Sequence, residues 1–525
     1  MNIYAFEPVG FEGELVTVEV DLHRGIPAVD IVGLPDGAVK EARERIRAAV
    51  RNSGFQFPLE RLLISLAPAG IRKGGASFDL AMAMAILVAS GQIPVAGSSI
   101  LALGELELSG RVRPVTGVLS AIASALRAGI QDFVVPRDNL LEARALAGNA
   151  ALAIDDLSDC VGILSALRGI APKTAYGFNA VDAVERSQEE NYSEKRSVPE
   201  IASGDMADIR GQAGLRRAME IAAAGGHHLM LFGPPGVGKS MAARRMVGLL
   251  PDLDDDDAIT VTTLHSLAGA LPGSIGLMRK PPFRSPHHGA SVEGIVGGGK
   301  LRRPGEISLA HGGVLLLDEA AEFRSDVLQA LREPLEEGRI TIARADRVVS
   351  YPSRFMLVLS CNPCPCGNLG REGGVCLCSP DEIRRYWKRL GGPLLDRIDM
   401  RIPVKATAAS DLASGPGESS VSIRARVEAA RSIQRKRYTG LSFRLNAGLE
   451  ANGLDVFCRL EADACSAFVK ISEREGLSSR ASHSILRVAR TIADLESLDT
   501  IKPCHLDEAL HLRRFGDSDI FWLIP

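Results

Sequence analysis

The stretch LMLFGPPGVGKS, residues 229–240, decides how the middle of this chain folds. Its four apolar residues, Leu229 to Phe232, predict a short buried strand, and the turn that follows has the GxxxxGKS pattern of a P-loop. A helix is predicted from Met241 onwards, so strand, loop and helix come in the order that a P-loop requires. The residues predicted to surround the phosphates of a nucleotide are Gly233, Pro234, Pro235, Gly236, Val237, Gly238, Lys239 and Ser240.

The residue types in this loop explain why it would hold ATP. Glycines let backbone N–H groups curl around the phosphates, and the N-terminus of the following helix adds the positive end of its dipole. Lys239 can reach the β- and γ-phosphates, and the hydroxyl of Ser240 can ligate Mg²⁺. A chance glycine-rich turn is the alternative, and the flanking strand and helix argue against it.

Polar side chains follow two further predicted strands. Val314 to Leu317 form an apolar run that ends at Asp318 and Glu319, as expected where the strands of an α/β sheet meet a ligand. We expect Asp318 to hold Mg²⁺ through water and Glu319 to polarise the attacking water, with a solvated strand end as the simpler alternative. Residues 355–359 lead to Asn362, which could orient that water or merely begin a loop.

One arginine, Arg397, stands among apolar residues in the segment 392–399. It could reach the γ-phosphate bound by a neighbouring subunit, as an arginine finger does. It could equally form a salt bridge with Asp396 or Asp399. The residues leave these two interpretations open.

A pair of CxC motifs separated by nine residues predicts a metal site. Four thiolates on a short glycine-rich loop suit tetrahedral Zn²⁺ in a structural role, although CxC is less common than CxxC. Reduced free thiols are the alternative. The predicted zinc ligands are Cys364, Cys366, Cys376 and Cys378.

The composition is that of an ordinary globular protein. Of 525 residues 46% are hydrophobic and 24% are charged, and the net charge of −3 means that any contact with nucleic acid must use a local basic patch. The first residues lack the basic and apolar segments of a signal peptide. The best membrane candidate, Leu80 to Ser90, is too short to span a bilayer, so we expect a cytoplasmic protein with no membrane partner.

The chain is expected to be an α/β protein of several domains. Strand-like and helix-like segments alternate over residues 1–167 and again over 201–405. Polar residues 168–200 and the segment 406–420, rich in Ala, Ser, Gly and Pro, are predicted linkers. Residues 421–525 have helical periodicity with almost no strand signal.

Five further motifs together are more specific than the P-loop. The chain resembles the magnesium-chelatase-subunit-like AAA+ ATPases of the ComM/YifB type over essentially its whole length. The segments that carry the resemblance are AAAGGHH (222–228), FRSPHH (283–288), PGEISLAH (304–311), CNPCPCG (361–367) and GPLLDRID (392–399).

The resemblance implies a ring-forming AAA+ motor, expected to be a hexamer, with a core at 201–405 and a helical lid at 421–525. It implies that Asn362 is the sensor-1 residue, that Arg397 is a finger acting across subunits, and that Arg480 is the sensor-2 arginine. It also implies an ATP-driven motor on single-stranded, forked or branched DNA that promotes branch migration during natural transformation. A chelatase-like motor is an alternative, but no DxSxS pattern of its partner subunit occurs. A protein-remodelling ATPase is another.

Two basic elements are the candidate DNA contacts. One is the glycine-rich loop 297–304 and the other is a predicted hairpin over 339–349; in related proteins the matching elements point into the pore of the ring. Both could instead be solvated surface loops. The candidate DNA-binding residues are Lys300, Arg302, Arg303, Arg344 and Arg347.

Residues 1–167 resemble the proteolytic domain of Lon-type proteases, an α+β domain, in segments 73–80, 103–106, 110–115 and 127–130. Ser77 falls at the position of the nucleophile, whereas Ala121 falls near that of the lysine base. No lysine occurs between Lys73 and Lys173. Because a serine without a base is a poor nucleophile, we expect no peptidase activity and interpret Ser77 as a helix N-cap. A role in building the ring or guiding DNA is more consistent with this degenerate domain.

Overall fold

The computed structural model describes residues 2–94, 97–168, 204–272, 275–299, 302–344, 347–371, 373–407 and 415–513. Lys300, residues 169–200 of the first predicted linker and residues 408–414 of the second lie outside these ranges. The chain forms two compact units. The first spans Met1–Pro199, Asp255–Met278 and Ala343–Tyr351, and the second spans Glu200–Asp254, Arg279–Ile342 and Pro352–Pro525.

Strands and helices alternate until a run of helices closes the chain, as predicted. The strands are β1 (Ile3–Val9), β2 (Glu12–His23), β3 (Val29–Val32), β4 (Arg61–Ala67), β5 (Ile100–Ala102), β6 (Glu105–Leu106), β7 (Val112–Arg113), β8 (Asp132–Pro136), β9 (Ala151–Ile154), β10 (Leu229–Phe232), β11 (Phe283–Arg284), β12 (Gly297–Gly298), β13 (Arg303–Pro304), β14 (Val314–Leu317), β15 (Arg339–Arg344), β16 (Arg347–Pro352), β17 (Met356–Cys361) and β18 (Met400–Pro403). The α-helices are α1 (Gly37–Asn52), α2 (Asp79–Ala89), α3 (Val118–Arg127), α4 (Leu140–Ala147), α5 (Cys160–Leu167), α6 (Ala213–Gly225), α7 (Lys239–Arg245), α8 (Asp255–Ala268), α9 (Val292–Val296), α10 (Glu306–Leu309), α11 (Ser325–Ala330), α12 (Arg332–Glu337), α13 (Pro380–Lys388), α14 (Gly392–Leu395), α15 (Ser420–Arg437), α16 (Ala451–Phe457), α17 (Ala462–Glu475), α18 (Ser479–Leu495) and α19 (Pro503–Arg513).

The first unit is built on a mixed seven-stranded sheet in the order β3-β4-β2-β1-β5-β8-β9. Strand β2 runs antiparallel to both of its neighbours, β1 and β4, whereas β1, β5, β8 and β9 run parallel. Helix α1 is capped by Asp36, whose carboxylate accepts a hydrogen bond from the backbone N–H of Val39 at 2.9 Å. Helix α2 is buried on almost every side, as its apolar sequence predicts.

The interpretation of Ser77 as a helix N-cap is wrong. Helix α2 begins at Asp79, and the residue before it is Phe78, in a helical conformation that makes no side-chain cap. A side-chain cap needs an extended residue at this position. Ser77 lies one residue earlier, in a turn where its carbonyl accepts a hydrogen bond from Gly104 N–H at 3.3 Å. An N-cap at Ser77 would make Phe78 the first helical residue, one residue before the observed start at Asp79.

The first unit also includes helix α8, which the sequence assigned to the ATPase core. Its residue Ser266 accepts a hydrogen bond from the backbone N–H of Gly117 at 2.9 Å. Ser266 also bonds to Glu142, a buried carboxyl whose pKa burial raises. The inserted helix is therefore held by buried polar contacts as well as by apolar packing against α3.

The second unit contains a five-stranded parallel sheet in the order β11-β14-β17-β10-β18. Strands β10, β14 and β17 are buried along their whole length, which explains their continuous apolar sequences. All five strands point the same way, so the loops that follow their carboxyl ends meet at one edge of the sheet. That edge carries the P-loop, the acidic pair and Asn362.

A buried polar network connects this sheet to the closing helices. His227, just before β10, contacts Asp399, just before β18, through Nδ1 at 3.3 Å, and its Nε2 lies 2.7 Å from the hydroxyl of Thr491 on α18. Ser484, also on α18, donates a hydrogen bond to Asp399 at 2.5 Å. Arg513 on α19 donates to the hydroxyl of Ser484 and to the carbonyl of residue 398. The network fixes helices α18 and α19 against the ends of two strands.

Candidate nucleotide site and metal centre

The P-loop joins β10 to α7, and its lysine is the first residue of that helix. Gly236 and Gly238 have φ of +82° and +91°, a region that favours glycine, and Gly238 is the second glycine that the motif requires. The ammonium group of Lys239 donates to the carbonyls of Gly233 at 2.7 Å and Pro234 at 2.9 Å. Burial lowers the pKa of Lys239, whereas nearby acidic groups act to raise it.

The side chain of Asn362 contacts the P-loop lysine directly. Its side-chain oxygen accepts a hydrogen bond from Lys239 Nζ at 3.1 Å. Strand β17 pairs with β10, so that Phe232 lies opposite Cys361, and this register brings Asn362 beside the loop. The structure therefore joins two residues that lie 123 positions apart in the chain.

Asp318 and Glu319 end the strand on the other side of β17, and their charges act on the pKa of Lys239. Glu319 has a φ of +52°, which is unusual for a residue other than glycine. Such strained backbone persists only where the surroundings enforce it, and it clusters at functional sites. The side chain of Glu319 is 57% exposed, so a water molecule can reach it.

Sequence reasoning missed His288 as a neighbour of Glu319. Its Nδ1 lies 3.9 Å from Glu319 Oε2, and its ring meets the edge of Phe323 at a centroid distance of 6.5 Å. The FRSPHH motif contains this histidine, but no spacing in the sequence links it to the acidic pair. The pairing of β11 with β14 brings the two together.

Arg397 and Arg480 share one carboxylate. Both guanidinium groups contact Oε1 of Glu336 on α12, Arg480 at 2.6 Å. Among the described residues the ion pair of Arg397 is with Glu336, and not with Asp396 or Asp399 as the alternative predicted. The two candidate arginines therefore stand together on one side of the second unit.

The candidate DNA-binding residues lie on two separate hairpins. Arg303 lies on β13, which pairs with β12, and Gly297, Gly298 and Gly299 in and after β12 all have positive φ. Arg302 directly precedes β13. Arg303 is exposed. Arg344 ends β15 and Arg347 begins β16, as predicted for the second hairpin. Lys300 lies outside the described residues.

The four predicted metal ligands converge. Their Sγ atoms all lie within 4.8 Å of one another. Cys364 Sγ is 3.4 Å from Cys366 Sγ and 3.6 Å from Cys376 Sγ, and the last two are also 3.6 Å apart. These separations exceed the S–S bond of about 2.05 Å in a disulfide, and they approach the edge of about 3.8 Å expected for four thiolates around a metal at about 2.3 Å. The residues therefore fit a tetrahedral metal ion.

Comparison with known proteins decides the family. "Magnesium chelatase, subunit ChlI" matches residues 205–412, "Subunit ChlI of Mg-chelatase" matches 18–139, and "Magnesium chelatase, subunit ChlI C-terminal" matches 417–513. YifB of Escherichia coli is 40% identical, covering 96% of this chain and 95% of its own. Competence protein ComM of Haemophilus influenzae is 38% identical over 97% of both chains. This chain belongs to the YifB and ComM family. Its AAA+ domain is of the magnesium chelatase type, which implies ATP and Mg²⁺ as cofactors.

The first unit of this YifB/ComM-family protein is also similar to Lon. The Lon protease of Geobacter metallireducens is 31% identical over 142 residues, which are 26% of this chain and 17% of Lon. Ala121, the residue near the expected lysine position, is fully buried on α3. A methyl group cannot accept a proton from the serine, so the expectation of no peptidase activity stays a prediction with a physical reason.

The described helices were also compared with the dimensions of a lipid bilayer. None of them combines the length and the apolar character needed to cross one. The helix closest to the earlier candidate segment, α2, ends after 11 residues.

Proposed function

We propose that this protein is a ring-forming, ATP-driven DNA motor that promotes branch migration in homologous recombination during natural transformation. The observation that carries the proposal is its similarity to competence protein ComM along 97% of both chains. The convergence of Lys239, Asn362 and the acidic pair at one sheet edge supports ATP hydrolysis. The exposed arginine at the β13 hairpin supports contact with a phosphate backbone.

In this proposal residues 233–240 bind the phosphates, and Ser240 and Asp318 hold Mg²⁺. Glu319 polarises the attacking water and Asn362 orients it. The ring is a cytoplasmic homohexamer, and its chain divides into domains at 1–167, 201–405 and 421–525. The four cysteines hold a structural Zn²⁺, which soft thiolate ligands select.

An ATPase and branch-migration experiment tests this function. We expect single-stranded or forked DNA to stimulate ATP hydrolysis, and ATP to drive branch migration of a synthetic four-way junction. A Lys239→Ala variant, which lacks the phosphate-binding ammonium group, serves as the inactive control. A wild-type ATPase that responds to no DNA would refute the proposal. It would favour a chelatase-like motor, the second candidate that the magnesium chelatase matches support.

Replacing Arg303 by alanine is expected to weaken DNA binding without regard to sequence. The loss of one phosphate contact should make the slope of log affinity against log salt concentration less negative by about 1. Fluorescence anisotropy with labelled single-stranded DNA across a salt series measures that slope. Arg435→Ala, at an exposed arginine of helix α15, is the matched control and should leave the slope unchanged. An unchanged slope in both variants would remove Arg303 from the DNA interface.

A mixing experiment tests whether Arg397 acts across subunits. Arg397→Ala and Lys239→Ala proteins should each be inactive alone, the first because it lacks the finger and the second because it cannot hold the phosphates. If the finger serves the neighbouring subunit, a mixed ring contains some interfaces with both residues intact, and ATPase activity partly returns. The observed ion pair of Arg397 with Glu336 would then open in the assembled ring. Mixtures without any recovered activity would show that Arg397 serves its own subunit or none.

A further inference from the structure

We propose that the four-cysteine centre braces the phosphate loop, so that metal occupancy sets the affinity for nucleotide. This inference rests on the proposed structural metal ion. It adds to the role of that ion in folding a second role in regulating the nucleotide site. The chemical class of the ligand is a soft divalent cation with tetrahedral coordination, for which Zn²⁺ is the probe.

The segment 361–367 contacts the phosphate loop through its first two residues and through its last residue. At the start, the carbonyl of Cys361 accepts a hydrogen bond from Gly233 N–H at 3.2 Å, and Asn362 accepts one from Lys239. At the other end, Gly367 packs against the ring of Pro235 so closely that an added Cβ would lie 2.9 Å from its Cδ. The start of the segment therefore contacts Gly233 and Lys239, and its end contacts Pro235, which lies between them in the loop.

Two of the four metal ligands lie between these contact points. Cys364 is buried in the apolar core of the second unit, and Cys366 is exposed two residues further on. The carbonyl of Cys364 accepts from Gly367 N–H at 3.0 Å, and that of Pro363 accepts from the indole of Trp387 at 3.1 Å. The turn is thus already shaped to present both sulfur atoms on the side where Cys376 lies.

The other two ligands come from a stretch that has little regular structure. Cys376 and Cys378 follow Gly370, Gly373 and Gly374 and precede α13. Ordering such a glycine-rich loop costs conformational entropy. A metal that cross-links the two CxC pairs closes this loop and restrains the turn that bears on Pro235 and Lys239. Loss of the metal releases that turn and with it the position of Asn362.

Measuring zinc and nucleotide affinity on the same full-length protein tests the brace. We expect about one zinc ion per chain in protein purified without chelator. Removing the zinc under reducing conditions should weaken binding of a fluorescent ADP analogue by about tenfold or more, the loss expected for one charge-assisted hydrogen bond, and added Zn²⁺ should restore it. The double variant Cys376→Ser/Cys378→Ser should show the same loss without rescue by zinc. Cys465→Ser/Cys504→Ser, at two exposed cysteines outside the centre, is the matched control.

A second variant keeps the test decisive if the cysteine variants do not fold. Gly367→Ala leaves all four sulfur ligands in place, but its Cβ collides with Pro235 and its φ of +77° strains any other residue. It should retain zinc and still weaken nucleotide binding. Protein without zinc would overturn the metal, and zinc-loaded protein whose nucleotide affinity does not change on zinc removal would overturn the brace. Neither the zinc content nor the nucleotide affinity depends on DNA, so both measurements remain valid even if the protein is not a DNA motor. Wild-type protein that binds no nucleotide would overturn the proposed ATPase and the brace together.

Discussion

Glu319→Gln will lower ATP turnover by about 10²–10⁴-fold, the contribution typical of a positioned general base, while nucleotide binding remains. Glutamine has the size of glutamate but cannot accept a proton from the attacking water. The substitution leaves Lys239 and the backbone of residues 233–240 in place, so nucleotide should still bind. Steady-state ATPase assays and titration with a fluorescent ATP analogue measure the two quantities separately.

The matched control for this prediction is Glu322→Gln, three residues further along. Glu322 is also an exposed carboxylate, and it contacts only Arg389 at 3.4 Å among the described side chains. Its replacement removes the same charge from the same short segment and should leave turnover near the wild-type value. Normal hydrolysis by Glu319→Gln would refute the role assigned to that residue.

Asp399→Asn is expected to lower the free energy of unfolding by about 3–5 kcal/mol, as when one partner of a buried charge network is removed. Asp399 is 6% exposed and contacts His227 at 3.3 Å and Ser484 at 2.5 Å. An amide offers one acceptor oxygen where the carboxylate offers two, and it removes the negative charge that interacts with Arg487. Denaturant unfolding followed by circular dichroism measures the change. Asp396→Asn, an exposed aspartate nearby, is the control and should have little effect.

The same carboxyl predicts how stability depends on pH. Burial alone would raise the pKa of Asp399, but the hydrogen bond to His227 and nearby positive charge outweigh it and hold the pKa well below its usual range. Because the folded pKa is lower than the unfolded value of about 3.9, the stabilisation is fully present above that pH and is lost as the pH falls below it. Wild-type protein should therefore lose stability more steeply below about pH 4 than Asp399→Asn. Equal slopes would show that Asp399 is not the titrating group.

Local patterns in the sequence predicted much of the second unit. Strands β10 and β14 have the predicted bounds, and the acidic pair and Asn362 follow strands as expected. These predictions succeed because a short apolar run of about four residues between turn residues is typical of a buried parallel strand. The start of α2 was misjudged because Ser77 lies in a turn before the helix, and the first helical residue, Asp79, pairs with Arg45 at 2.9 Å.

Partners that are distant in the chain were not predictable in the same way. The pairing of Arg397 with Glu336 spans 61 residues, and no periodicity connects them. The proximity of His288 to Glu319 depends on which strand lies beside β14, and the sequence carries no direct sign of strand order. Helix α8 belongs to the first unit, where Ser266 accepts a hydrogen bond from Gly117. Nothing in the sequence around Ser266 indicates this contact.

The phosphate loop and the two CxC motifs could be predicted from short stretches of sequence, because their chemistry requires particular side chains at short, defined spacings. The contact of Asn362 with Lys239, the packing of Gly367 on Pro235 and the shared carboxylate at Glu336 came only from the tertiary structure. Each of these depends on the order and register of strands far apart in the chain. Many apolar residues set that order through their combined burial, and each of them by itself says little about which strands are neighbours. No single motif encodes the order.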